Sequence, residues 1–299
     1  MTSPDERKNM NLMTDISEAT GLDGAVHAAR AAARAAGVSV RELTDLAELN
    51  EVVRLFATIW GRPANPPVTI ELLRAFTKAG NYVAGAFQAQ RLVGACVGFH
   101  APAGDALHSH ISGVSATATG GGVGFALKQH QRSWALGRGV SEVAWTFDPL
   151  VARNAYFNLV KLAARPAEYL TNFYGPMIDA INGDQDSDRL LVRWRLRDRA
   201  VDLASTGGGV GAVAADEVAA GAVVALDIAG DGSPVPGRLD GSTSLVAVPR
   251  DIASLRAADP GMAQRWRVAV RDALTGLVGR GGVIDGFDRA GWYVVRGQP

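Results

Sequence analysis

From Val38 onward the apolar positions change period at regular intervals, and the changes divide the chain into short elements. "VSVREL" alternates as a strand does. "TDLAELNEVVRLFATIWG" places Leu46, Leu49, Val52, Val53, Phe56 and Ile59 at the helical spacing behind a cap at Thr44 or Asp45. "GRPANPP" breaks that helix, and "TIELLRAFTKAG" predicts a second, capped by Thr69 and stopped by Gly80. "NYVAGAFQ" and "RLVGACVGFHA" predict two strands across a short polar turn. "ALHSHISGVS" predicts another, with His108, His110 and Ser112 on one face and Leu107, Ser109 and Ile111 on the other. A glycine-rich loop follows, then a helix with Val123, Leu127, His130 and Trp134 on one stripe. "SEVAWTFDP" predicts a strand ended by Pro149, "VARNAYFNLVKLAA" a helix, and "AEYLTNFYG" and "DRLLVRWRL" two more strands. The order is β-α-α-β-β-β-α-β-α-β-β, ending near Leu196.

The flanks read differently. Residues 1–20 are polar, with Met10 and Met13 as alternative starts, and "GLDGAVHAARAAARAAG" predicts a short Ala/Arg-rich helix. After Leu196, "STGGGVGAVAADEVAAGAVVALDIAGDGSPVPG" is rich in small residues and short of large anchors. A second ordered unit begins at "STSLVAV": a strand, two helical segments split by Pro260, and a hairpin-like pair ending at Val295. In the longer segment Met262, Trp266, Val268, Val270 and Leu274 supply apolar surface, with Arg265, Arg267 and Arg271 around them. Three regions result: a polar extension with its helix over 1–37, an α/β domain over 38–196, and a smaller α/β extension over 197–299. The last has roughly 60 ordered residues and is marginal alone. It is expected to dock on the α/β domain or on a second copy, which would make a homodimer.

Composition narrows the function classes. Of 299 residues 47% are hydrophobic and 20% charged, which fits a soluble globular protein. Thirty basic and thirty acidic residues cancel, leaving no global field for nucleic acid or an anionic membrane. No basic stripe interleaves with aromatic residues. The single cysteine, Cys96, lies in an apolar run and reads as a buried structural thiol. The first residues lack a signal peptide's apolar core, and no apolar run approaches the ~18 residues of a membrane span. Cytoplasm is the expected location.

The unusual stretch is "TGGGVGFAL", where Gly120, Gly121, Gly122 and Gly124 precede a helix. Amides at a helix start have no intrahelical partner, and glycine lets an anionic oxygen approach them. The dinucleotide fingerprint lacks its βαβ setting here, and Phe125-Ala126 stands where the Walker pattern needs Lys-Ser/Thr. Element order and loop together resemble the GNAT superfamily of acyl-CoA-dependent acyltransferases, whose pyrophosphate loop is Gln/Arg-x-x-Gly-x-Gly/Ala after the fourth strand. Thr119 takes the Gln/Arg position, and Gly122 and Gly124 take the small-residue positions. The resemblance covers about Val38 to Leu196. In "AYFNLVKLAA", Ala155 and Lys161 match the family's Ala-x-x-Leu-Tyr-x-Lys-x-Gly-Phe, whereas Leu159 falls at the tyrosine and Ala163 at the glycine. "HSHISGV", "WTFDPLVARNAYFNL" and "SDRLLVRW" are similar to an uncharacterised GNAT-related group with a C-terminal extension.

The resemblance implies a GNAT-type mixed central sheet flanked by helices, with the smaller α/β unit appended. It implies acyl-CoA as co-substrate, no metal, and direct transfer of an acetyl or other short acyl group to a primary amine of a small molecule. Cofactor binding falls on Gly113, Val114, Ser115, Thr119, Gly120, Gly121, Gly122, Val123, Gly124, Phe125, Ala126, Asn158 and Lys161. A backbone N–H between Gly113 and Ser115 would polarise the thioester carbonyl. Two alternatives stay open. One is a non-catalytic acyl-CoA-binding or interaction module, favoured by Thr119 and the missing tyrosine. The other is acylation of a hydroxyl, hydrazine or other unusual nucleophile.

Each candidate for the chemistry has a plain structural counterpart. His110 has an imidazole suited to removing the amine proton and His108 shares its face, or one packs and the other sits at a wet strand end. Asp148 could hold a substrate ammonium or merely cap the next helix across Pro149. Tyr156, one turn before the vacant tyrosine position, and Asn158, one residue before it, could donate to the thiolate, or serve packing. Trp60 and Tyr174 would line the acceptor site, or Trp60 anchors a helix end. His130 reads as a satisfied buried histidine. Arg132 and Arg138 could reach CoA phosphates or lie on a solvated helix face.

Overall fold

The structure, a computed structural model, describes residues 21–102, 106–175, 177, 186–209 and 211–297. The reading of residues 1–20, with its alternative starts, lies outside them. The fold is mixed α/β, with seven strands in a larger sheet and five in a smaller one that follows in the C-terminal part. Contacts divide the chain into two compact units, residues 1–143 with 195–206, and 144–194 with 207–299. This division runs through the region read from sequence as one domain, 38–196, and joins its last third to the C-terminal extension.

The first unit opens with a helix over residues 21–35 (α1). Strand β1 (Ser39–Glu42), helices α2 (Leu46–Ile59) and α3 (Ile70–Lys78), and strands β2 (Tyr82–Gln88), β3 (Arg91–Phe99) and β4 (Leu107–Val114) follow. Helix α4 (Val123–Leu136) and, after residue 195, the short α6 (Arg199–Ser205) complete it. Both helix starts read from sequence hold: Asp45 accepts from the amides of Ala47 and Glu48, and Thr69 from Leu72. The strands lie in the order β1-β2-β3-β4, each pair antiparallel. Strand β2 is buried almost throughout, as a strand covered on both faces must be. Leu49, Val52 and Phe56 of α2 meet Val83, Phe87, Ala95 and Val97 in one core cluster. On the other face α4 lies so close that a Cβ on Gly94 would stand 3.1 Å from both Val123 and Leu127.

Strand β4 departs from simple alternation. Val97 pairs with Ile111 but Gly98 with Ser109, so His110 is an extra residue, a β-bulge. The bulge corrects the face assignment read from sequence. Ile111 joins the α2 cluster, whereas Ser109 accepts from Lys128 Nζ of α4 at 2.8 Å. His108 and His110 nevertheless remain neighbours, with ring centroids 6.1 Å apart.

The second unit takes up β5 (Glu142–Phe147) from Ala144 onward, then α5 (Ala152–Tyr156), β6 (Arg165–Leu170) and β7 (Arg189–Arg195), in the spatial order β5-β7-β6. After residue 206 come α7 (Ala214–Ala219), β8 (Val223–Ile228), β9 (Pro234–Pro236), β10 (Thr243–Ala247), α8 (Ile252–Ala258), α9 (Pro260–Gly279), β11 (Val283–Asp288) and β12 (Trp292–Arg296). The five-stranded sheet has the order β11-β12-β10-β8-β9, with β8 parallel to β10 and the other pairs antiparallel. The small-residue stretch thus supplies α7, β8 and β9, and β8 is an inner strand that its composition conceals. Helix α9 buries Trp266, Val270, Leu274 and Leu277, and Arg267 with them, while Val268 is exposed.

Helix α5 is shorter than "VARNAYFNLVKLAA" predicts. It opens at Phe157–Lys161 into a wide π turn, with Leu162 N donating to Phe157 O at 3.0 Å. Ala163 then takes a left-handed φ of 53°, the usual way to end a helix.

Candidate active site

In the first unit the site is built on the path from β4 into α4. Ser115 N donates to Val93 O at 2.8 Å, closing the β3–β4 ladder. Alternate residues of an antiparallel strand turn their amides toward the same neighbour. Of Gly113, Val114 and Ser115, therefore, only Val114 aims its N–H away from β3. Trp60, at the end of α2, is half-buried and stacks edge-on against Phe56 with centroids 5.5 Å apart. Its ring covers Gly113 so closely that a Cβ there would lie 3.0 Å from it. The structure thus brings Trp60 to the strand that carries the histidines.

His110 opens to solvent, and Phe99 lies against both histidines, 4.9 Å from His108 and 5.8 Å from His110 between centroids. Loss of solvent pushes the His110 imidazole below its ordinary value, and the same effect, with the charges of His110 and Lys128, lowers His108. Both rings are held toward the neutral form, in which an imidazole can accept a proton. Sequence reading missed Phe99 as their partner, although its place at the end of a hairpin opposite His108 follows from the register.

The loop then turns over Ala116–Ala118 into α4. Thr119 donates its hydroxyl to Ser115 O at 3.0 Å, so it serves the loop itself. Gly120 and Gly122 have φ of 87° and 83°, conformations that favour glycine. Gly121 and Gly124 do not. A Cβ on Gly124 would meet only Val114, at 3.8 Å, and one on Gly121 the Ala118 carbonyl at 3.5 Å. The first intrahelical bond runs from Ala126 N to Gly122 O at 3.0 Å, and no side chain caps the helix start. The amides of Val123, Gly124 and Phe125 precede that bond and stand at the positive end of the helix dipole. Phe125 is half-buried and Ala126 buried, anchoring the turn below the exposed glycines.

Several basic residues of α4 and of the turn after it are committed elsewhere. Arg132 is buried and donates to Leu196 O at 2.9 and 2.7 Å, to Ser205 at 3.0 Å and to Asp202. Arg138 stacks on Trp134 at 4.0 Å and pairs with Glu42. Lys128 is buried, its ammonium pushed down to about 8 by loss of solvent. Neither Arg132 nor Arg138 is a free contact for a phosphate. His130 Nδ1 sits 2.9 Å from the Tyr82 hydroxyl, and Cys96 is a buried free thiol 3.8 Å from Ser109 Oγ.

The candidates of the second unit separate into engaged and open groups. Asp148, at the end of β5, is a correction. Its carboxylate receives Arg267 at 2.8 and 2.7 Å, Arg256 at 2.7 Å and the Leu150 amide at 2.9 Å. Burial alone would raise this carboxyl, but the two guanidinia hold it well below the usual range. The group is a buried ion-pair centre, with no edge left for a substrate ammonium. Asn158 is buried in the π turn and accepts from Trp145 Nε1 at 3.2 Å. Lys161 is exposed at the end of that turn. Tyr174 is exposed, 3.3 Å from the Thr146 hydroxyl and with the Arg189 guanidinium 5.3 Å from its ring. Tyr156 is half-buried in a cleft with arginines from the C-terminal segment, which sequence reading did not connect with it.

No family model matches the chain, and no curated protein matches it. Solved structures do. An N-acetyltransferase from Staphylococcus aureus is similar at 16% identity and a TM-score of 0.44, over 53% of this chain and 98% of that one. The ribosomal-protein-alanine N-acetyltransferase of Escherichia coli is similar at 14% identity and a TM-score of 0.44, over 53% and 94%. An acetyltransferase of the GNAT family from Streptococcus pneumoniae is similar at 13% identity and a TM-score of 0.43, over 52% and 97%. Among the described residues no helix is long and apolar enough to cross a membrane.

Proposed function

We propose that this chain is an acyl-CoA-dependent acyltransferase of the GNAT type, moving an acetyl or other short acyl group to a primary amine of a small molecule. The observation that carries the reading is the pair Gly121 and Gly124. Backbone conformation accounts for Gly120 and Gly122, but packing inside the chain leaves room for a side chain at the other two. A ligand that must come close to the backbone accounts for them, and the open amides of Val123, Gly124 and Phe125 suit a pyrophosphate.

In this reading the loop amides hold the pyrophosphate of the acyl-CoA co-substrate. The Val114 N–H polarises the thioester carbonyl and stabilises the oxyanion that develops on it. His110, neutral near pH 7, takes the proton from the attacking amine. Trp60, against the strand that carries the histidines, is the proposed acceptor-site residue of the first unit. Leu159 donates no proton, and a thiolate, with a thiol pKa near ~8.5, leaves without one and takes it up from water.

Thiol release from acetyl-CoA, measured with a panel of small amines, tests the reading. Amine-dependent release is expected. Gly124→Asp sets a carboxylate where the pyrophosphate would approach, so its CoA affinity should fall at least a hundredfold while its circular dichroism is unchanged. CoA binding without turnover on any amine would favour the non-catalytic module, and a folded Gly124→Asp protein with unaltered CoA affinity would overturn the assignment of the loop.

A further inference from the structure

We propose that the second unit carries a separate phosphate-binding cleft, formed by Arg153, Arg250 and Arg289 beside the ring of Tyr156. The cleft encloses about 650 Å³, and Ala152 and Ala290 complete its lining. Its residues come from three places: the first turn of α5, the connection from β10 to α8, and the tight turn joining β11 to β12. The Arg289 guanidinium lies 5.8 Å from the centre of the Tyr156 ring.

Several arginines of this unit hold carboxylates; Arg265 and Arg280 do not, but they donate to Met262 Sδ and Leu239 O and lie outside the cleft. Arg165, Arg238, Arg256, Arg267, Arg271 and Arg296 each hold a carboxylate. Arg153, Arg250 and Arg289 are exposed, and none forms an ion pair among the described residues. Asp251 lies in the field of Arg153, but its oxygens already receive Ser254 N at 3.0 Å and Ser254 Oγ at 2.6 Å. Three like charges facing one concavity repel each other, and an anion seated among them turns that repulsion into attraction. Guanidinium forks match phosphate oxygens, and three of them suit a dianion better than a single carboxylate. The matching chemistry is a phosphate monoester. It belongs to a phosphorylated molecule other than the acyl-CoA of the glycine loop, so the cleft does not rest on the acyltransferase reading.

Calorimetric titration of the full chain tests the cleft, with adenosine 3′,5′-bisphosphate, CoA and 3′-dephospho-CoA as probes. The bisphosphate should bind, and Arg250→Gln/Arg289→Gln should weaken it tenfold or more with circular dichroism unchanged. The single Arg250→Gln variant should show a smaller loss and serves if the double variant does not fold. A tenfold preference for CoA over dephospho-CoA that disappears in the variant would give the cleft to CoA and overturn a separate site. Equal affinities for those two, with bisphosphate binding still lost in the variant, assign it to a separate ligand. Gly124→Asp should spare bisphosphate binding, which separates this cleft from the glycine loop. A bisphosphate that does not bind, that binds protein and arginine variants alike, or that is lost in Gly124→Asp would overturn the proposal.

Discussion

His110 owes its setting to a single extra residue. Without the bulge in β4, the strand would keep Ser109 and Ile111 on one face, and Lys128 would lose its hydroxyl partner or Ile111 its core. The bulge resolves both and leaves His110 beside His108 and Phe99. Because His110 is held below its ordinary pKa, its neutral form dominates from below about pH 6.5 upward. The kcat/KM for amine acylation, taken per unprotonated amine, should therefore climb with pH on an acid limb whose midpoint lies below about 6.5. His110→Ala should lower kcat by roughly a hundredfold and remove that limb, with CoA affinity nearly unchanged. A variant that keeps both the limb and the rate moves the base elsewhere. The histidine pair was legible from residue type and strand period. The bulge was not, because an extra residue in one strand is defined only by the partner strand it fails to match.

At the scale of elements, α5 shows how a helical pattern can be overruled. Leu162 O accepts from Trp194 Nε1 at 2.8 Å, and Ala164 N donates to Asn158 O at 2.9 Å, so neighbours draw the end of the helix open. The left-handed Ala163 closes it at the position where the GNAT pattern has glycine. Left-handed geometry costs a residue with a Cβ roughly 1 kcal/mol. Ala163→Gly should accordingly stabilise the protein by about 0.5 to 1 kcal/mol, less the extra entropy of glycine in the unfolded chain. Thermal melting checks this, and a lower melting temperature would argue against strain at that site. Strand β8 was hidden for the opposite reason. "GAVVALDI" is short and embedded among small residues, and only its pairing with β10 and β9 makes it a strand.

For the whole molecule, the second unit is tied together by buried charge. Arg256 and Arg267, on α8 and α9, grip Asp148 beyond β5. Arg271 meets Asp186 and Asp188 at 2.7 Å, and the Tyr293 hydroxyl donates to Pro149 O at 2.8 Å. The C-terminal segment, expected to dock, is thus built into one unit with residues 144–194. Asp148→Asn leaves two guanidinia without their carboxylate and should cost about 3 to 5 kcal/mol at pH 7 by urea unfolding. The folded Asp148 pKa is depressed, so its stabilisation is full above the unfolded value near ~3.9 and fades as pH falls below it. The gap between the two proteins should narrow at pH 3, and a gap that does not change with pH would remove the ionic explanation.

What the sequence determined by itself was the succession of elements from Val38 to Leu196, their caps, and the glycine loop with its uncapped helix start. Those features depend on period, on capping side chains and on backbone freedom, all properties of neighbours along the chain. The tertiary structure alone decided that Asp148 is a buried ion-pair centre, that Arg267 lies on the inner face of α9, that β4 is bulged, and that Arg153, Arg250 and Arg289 line one cleft. Each of these depends on residues far apart in the chain, and the energy of a charge or an extra strand residue is set by the partner that folding places opposite it.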